Sequence, residues 1–151
     1  MVASISRRIA ALKKLAKEYF LLEKRAPIIK HEELLRVFDI RGSIHKDDHP
    51  HKGVRVYISR KSLKHFVESR KEDLERKHTE EEALGNICFA IQEIQEVITN
   101  FTVYELEPPG KHFYVKDYSH MGKPFIRILL EPKSARLEIK SIHFTKSKKK
   151  K

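Results

Sequence analysis

Residues 53–70 read GVRVYISRKSLKHFVESR, and the spacing of apolar positions changes partway along them. Val54, Val56 and Ile58 alternate with polar neighbours, which is the period of a half-buried strand. Leu63, Phe66, Val67 and Leu74 then follow the spacing of a helix. The change falls at Ser59, whose hydroxyl can accept from the free amides of a first helical turn. The spacing therefore predicts a strand that runs directly into a capped helix, continuing to about Lys77. That helix carries His65 about one and a half turns from its start, flanked by Arg60, Lys61 and Lys64. Imidazole titrates near neutrality, and here it would face the anion that the cations attract.

On the N-terminal side, Ile5, Ile9, Leu12, Ala16, Tyr19 and Phe20 form one face of an amphipathic helix whose other face carries Arg7, Arg8, Lys13, Lys14 and Lys17. Such a helix packs on its own domain or docks a partner; the alternatives are an anionic membrane surface or an organellar presequence. It ends before Pro27, and a second short helix is expected over residues 31–38. The stretch DIRGSIHKDDHPHKG, residues 39–53, is a loop by its glycine and proline content. The expected organisation is a helical arm over 1–40, a linker over 41–52, a main domain over 53–146 and a basic disordered tail over 147–151.

C-terminal to the His65 helix, Thr79 and Glu82 form a capping box, and Leu84, Ile87, Cys88, Ile91, Ile94 and Ile98 make the stripe of a further helix. Strand patterning takes over after Asn100. FTVYELE, HFYVKDY, PFIRILLE and ARLEIKSIHFT are separated by short turns, one of them Pro108-Pro109-Gly110. Four such runs predict an antiparallel meander. The fold class is α+β, with N-terminal helices packed on a four-stranded antiparallel sheet.

Charge narrows the partner. Lys and Arg total 32 against 21 acidic residues, giving a net charge of +11 and a pI near 9.7. The C-terminal TKSKKKK run holds five lysines, yet +6 remains without them, so an anionic partner is expected for the folded part too, with nucleic acid foremost. A solvated basic surface without a ligand is the plain alternative. No window has the length of apolar sequence that spans a membrane, and the N-terminus lacks the pattern of a secretory signal. The single cysteine, Cys88, sits in apolar surroundings that raise a thiol pKa, which fits a core residue in a reducing compartment better than a nucleophile. Phosphate-cradling glycine loops, GxSxG and HExxH are all missing. His45, His49 and His51 lie with Asp47 and Asp48 in the loop, residue types that ligate metals, but their spacing matches no closed site.

The remaining chemistry is spread over the strands. Leu137, Ile139, Ser141, His143 and Thr145 alternate onto one face of the last strand, Arg136, Glu138, Lys140, Ile142 and Phe144 onto the other. Arg127 stands between Phe125 and Leu129 on the preceding strand, where it either pairs with a glutamate or lines a groove. His112, Tyr114 and Lys116 share a face, and Tyr104 and Tyr57 are able to stack on bases.

A helical segment, the strand-helix element VYIS…LKHFVESR, and a four-stranded meander ending in a Ser/Thr-bearing strand together resemble the nuclease superfamily that groups barnase, EndoU, the tRNA-cleaving colicins and RelE-type toxins. The likeness covers roughly residues 53–146 and is greatest to phage-associated and mobile-element branches. It implies metal-independent cleavage of tRNA or mRNA through the ribose 2'-hydroxyl, without a cofactor. A cytoplasmic site of action follows, with delivery as an effector and restraint by an inhibitor protein as further implications. Carried onto this chain, the catalytic positions are His65, Arg127, His143 and Thr145, with Arg70 as an addition; the cations and rings already read from the strands and the His65 helix, Lys61, Lys64, Tyr57, His112 and Lys140, are with Arg70 the expected substrate contacts. The chain departs from barnase in lacking an obvious catalytic glutamate on a middle strand, which leaves the general base unassigned. A non-catalytic nucleic-acid or protein-binding module of a mobile element or effector system is the rival. It would need only a continuous positive surface.

Overall fold

The computed structural model describes residues 2–21, 34–39, 54–75, 79–133 and 136–145. In chain order the elements are α1 (Val2–Leu21), β1 (Leu34–Asp39), β2 (Arg55–Ser59), α2 (Arg60–Glu75), α3 (Glu80–Gln92), α4 (Ile94–Thr99), β3 (Val103–Glu107), β4 (Lys111–Lys116), β5 (Phe125–Lys133) and β6 (Arg136–Thr145). A short 3-10 turn, Ser119–Met121, precedes β5.

The strand-to-helix change occurs at Ser59, and the Ser62 amide donates to Ser59 Oγ at 3.1 Å. The capping box of α3 is also formed, with the Glu82 amide on Thr79 Oγ1 at 3.1 Å and the Thr79 amide on Glu82 Oε1 at 2.9 Å. Both caps satisfy amides that a helix start otherwise leaves unpaired.

The sheet differs from expectation. It has six strands in the order β1-β2-β6-β5-β4-β3 and is mixed. The antiparallel meander β3–β6 is present inside it, but β2 pairs parallel to β6, placing Tyr57 opposite Glu138 and Ile58 opposite Ile139. Residues 34–39, expected as part of a helix over 31–38, are strand β1, antiparallel to β2 with Leu35 opposite Ile58. The reason is the edge of β2, whose backbone groups would otherwise lack partners. Leu34–Asp39 covers that edge while Val37 is buried.

A bulge corrects the facing of β6. Leu129 pairs with Ser141 but Leu130 pairs with Ile139, so Lys140 is an extra residue. An inserted residue reverses the alternation beyond it. Leu137, Ile139 and Ile142 therefore point into the core, whereas Ser141, His143 and Thr145 join Arg136 and Glu138 on the opposite face instead of sharing one with Leu137.

One buried cluster unites the elements. Val56, Ile58, Ile128 and Ile139 of the sheet meet Leu63, Phe66 and Val67 of α2, and Ile87 and Ile91 of α3. Leu12, Ala16 and Phe20 of α1 belong to the same cluster, so the N-terminal helix shares the core of the main domain. Complete burial of Phe20 alone is worth about 2–3 kcal/mol. No described helix is long and apolar enough to cross a membrane.

Candidate active site

The junction between β2 and α2 lies beside the first half of β6, and a cleft of about 510 Å³ opens there. Ser59, Lys61, Ser62 and His65 line it from the junction and the first turns of α2. Arg136, Glu138 and Lys140 line it from β6, with Leu34 of β1 at its margin. His65 is exposed to this space.

Glu138 is only 8% exposed. A buried carboxylate needs compensation, and two cations provide it. Arg136 donates through Nε and Nη2 to Glu138 Oε2 at 3.2 and 3.0 Å, while Lys140 Nζ stands 3.4 Å from Oε1. The Arg136 guanidinium also lies over the Tyr57 ring, 6.0 Å from its centroid. Thus His65, Lys61, Lys140 and the neighbouring Tyr57 come together, and Arg136 and Glu138 join them unforeseen. Their signal in the sequence is the alternation Arg136-Leu137-Glu138-Ile139-Lys140, which places three charges on one face of a strand.

The other expected catalytic residues lie elsewhere. Arg127 and His143 are opposite one another in the β5–β6 pairing, and Thr145 is opposite Phe125; none of the three lines the His65 cleft among the described residues. Arg70 Nη1 is 3.0 Å from His143 Nδ1 and 3.4 Å from the Ile142 carbonyl oxygen, so it ties the end of β6 to α2. Arg127 stacks 4.0 Å over Phe113. Burial pulls its pKa down, opposed by the charges of Glu105 and Glu107, and its Nε and Nη2 have no hydrogen-bond partner among the described residues.

Two expected substrate contacts are occupied otherwise. Lys64 is 6% exposed and bonds Glu68 at 2.5 Å, an i,i+4 pair that is not among the described residues lining the His65 cleft. His112 lies on β4, the second strand from β6, with Nδ1 2.7 Å from the Tyr104 hydroxyl and the two rings stacked. Burial holds its pKa below the usual histidine value. Tyr114 is fully buried, and Lys116 donates to the Asn100 carbonyl oxygen at 2.9 Å.

Cys88 is half-buried on α3, and burial pushes its thiol pKa up, partly offset by Lys17 and Lys13 of α1. The loop of His45, His49 and His51 and the tail from residue 146 lie outside the described residues. Comparison of the chain with protein families, with curated proteins and with solved structures returns no match.

Proposed function

We propose that the chain is a metal-independent endoribonuclease whose reaction centre is the His65 cleft. One observation carries the reading: an exposed histidine and a nearly buried carboxylate, Glu138, line the same cleft with three cations, Lys61, Arg136 and Lys140. Glu138 lies on β6, an interior strand of the sheet, which supports giving it the role of general base that the family resemblance leaves unassigned. The order strand, helices, meander, on which that resemblance rests, is retained in β2, α2–α4 and β3–β6.

The chemistry uses each group once. Glu138 takes the proton of the ribose 2'-hydroxyl, the 2'-oxygen attacks phosphorus, and the bond from phosphorus to the 5'-oxygen breaks. His65, as imidazolium, protonates the departing 5'-oxygen. Lys61, Arg136 and Lys140 stabilise the charge that gathers on the phosphate oxygens. The products are a 2',3'-cyclic phosphate and a 5'-hydroxyl. With both proton carriers supplied by side chains, the step requires no metal.

The second reading, a non-catalytic nucleic-acid-binding module, draws on the separation of Arg127, His143 and Thr145 from this cleft. Incubation of the protein with mixed tRNA and mRNA in chelator separates the two. His65→Ala and Glu138→Gln are each expected to lower the rate by about 10²- to 10⁴-fold, with circular dichroism unchanged and RNA affinity nearly retained. Cleavage by His65→Ala at the wild-type rate would remove the assignment. Binding without cleavage of any RNA by the wild type would favour the module.

A further inference from the structure

A second cleft, of about 550 Å³, lies between α1 and β1. It adjoins the first: Leu34 lines both, and Arg60 lines the second while the next residue, Lys61, lines the first. Positions 8, 11, 12, 15 and 18 of α1 recur at helical spacing and line it together with Lys14. Among the described residues, Arg8, Lys14 and Arg60 set its charge against the carboxylate of Glu18. Buried Leu12 and half-buried Leu15 and Leu35 give it an apolar floor.

We infer that this second cleft is a subsite for the nucleotides flanking the segment seated at His65 on a single-stranded RNA. The inference rests on the nucleic-acid reading of the first cleft, and it adds the path of the strand: from β6, past the start of α2, to the groove beneath α1. Three features support it. Cations outnumber carboxylates among the described lining residues of both clefts, so a polyanion is favoured in each. The apolar floor offers base faces a surface, as single-strand sites do. Each cleft has the volume of a small ligand, which accommodates about a nucleotide and excludes a duplex, whose recognition spreads over grooves and phosphates. A lipid surface fits less well, because a helix lying on a membrane turns its apolar face outward, whereas Leu12, Ala16 and Phe20 of α1 face the core.

The test measures binding, so it does not depend on catalysis. Affinity is determined by fluorescence anisotropy for a uridine dinucleotide and for a strand of about ten uridines, over a range of salt. Wild type is expected to gain affinity with length. In the double variant Arg8→Ala/Lys14→Ala, which keeps good helix formers in α1, affinity for the longer strand is expected to fall about 10- to 30-fold at 0.1 M salt. The slope of log affinity against log salt should shrink by about 1.4, at about 0.7 per phosphate contact on a single strand. Photocrosslinking of the wild type to the same strand carrying 4-thiouridine checks the site without any substitution, with adducts expected on α1 or β1. A double variant that keeps the full gain with length, crosslinks confined to other elements, or an effect limited to binding of phosphatidylglycerol vesicles would each overturn the subsite. If RNA is cleaved but the double variant binds the long strand like wild type, the subsite falls and the catalytic reading stands. If nothing is cleaved and the gain with length is lost, the reverse holds. Absence of RNA binding at every length removes both.

Discussion

Glu138 and His112 are both withdrawn from water, and their partners decide what that does. Glu138 is paired with Arg136 and Lys140, so its burial is compensated where it lines the cleft. His112 stands against the neutral Tyr104 hydroxyl, and burial depresses its pKa. The unfolded chain then binds the His112 proton more readily than the folded one. Between the unfolded value, about 6.5, and the lower folded value, stability therefore falls as pH falls; above that window the effect vanishes. Urea midpoints at about pH 7.5 and pH 5.5 should show a larger acid loss for wild type than for His112→Asn. Equal losses in the two proteins would mean that burial of His112 does not oppose its protonation in the folded state.

At the scale of elements, α3 depends on its cap because Ile87 and Ile91 bring it into the core while its first turn, Glu80–Glu82, is exposed. Thr79→Ala removes the side-chain acceptor for the Glu82 amide and breaks the reciprocal box. A loss of about 1 kcal/mol is expected, seen as a lower urea midpoint at unchanged slope; no change would mean that solvent replaces the cap at no cost. Caps and periods of this kind are local, which is why α1, α2, α3 and the β3–β6 meander were legible in the sequence. Pairings between distant segments were not. Leu34–Asp39 is too short for periodicity to separate helix from strand, and the unpaired edge of β2 decided it. The bulge at Lys140 is invisible until the register with β5 is known, so His143 and Thr145 could not be faced correctly from alternation alone. The site follows the same division. His65 and Lys61 were legible because they are neighbours on one helix, whereas Glu138 reaches them only through the parallel β2–β6 pairing across all of α2 to β5.

For the whole molecule, the question is whether its positive charge acts as a diffuse cloud or through placed groups. The net +11 includes the lysine-rich C-terminus, and deletion of Lys148–Lys151 leaves +7. A tail of clustered lysines attracts any polyanion nonspecifically and strengthens encounter at low salt. The clefts hold another set of cations on the folded body: Arg8, Lys14 and Arg60 in one, and Lys61, Arg136 and Lys140 in the other. If these contact phosphates, each releases counterions on binding whether or not the tail is present. The truncated protein is therefore expected to bind single-stranded RNA more weakly at low salt, with a smaller but still steep fall in affinity as salt is raised, since each body contact keeps its contribution of about 0.7 to the slope. Titration of labelled RNA with full-length and truncated protein at several salt concentrations measures both quantities. Binding that disappears with the four lysines would assign the interaction to the tail and leave the clefts without a polyanion. Binding indifferent to salt would rule out a phosphate-dominated interface altogether.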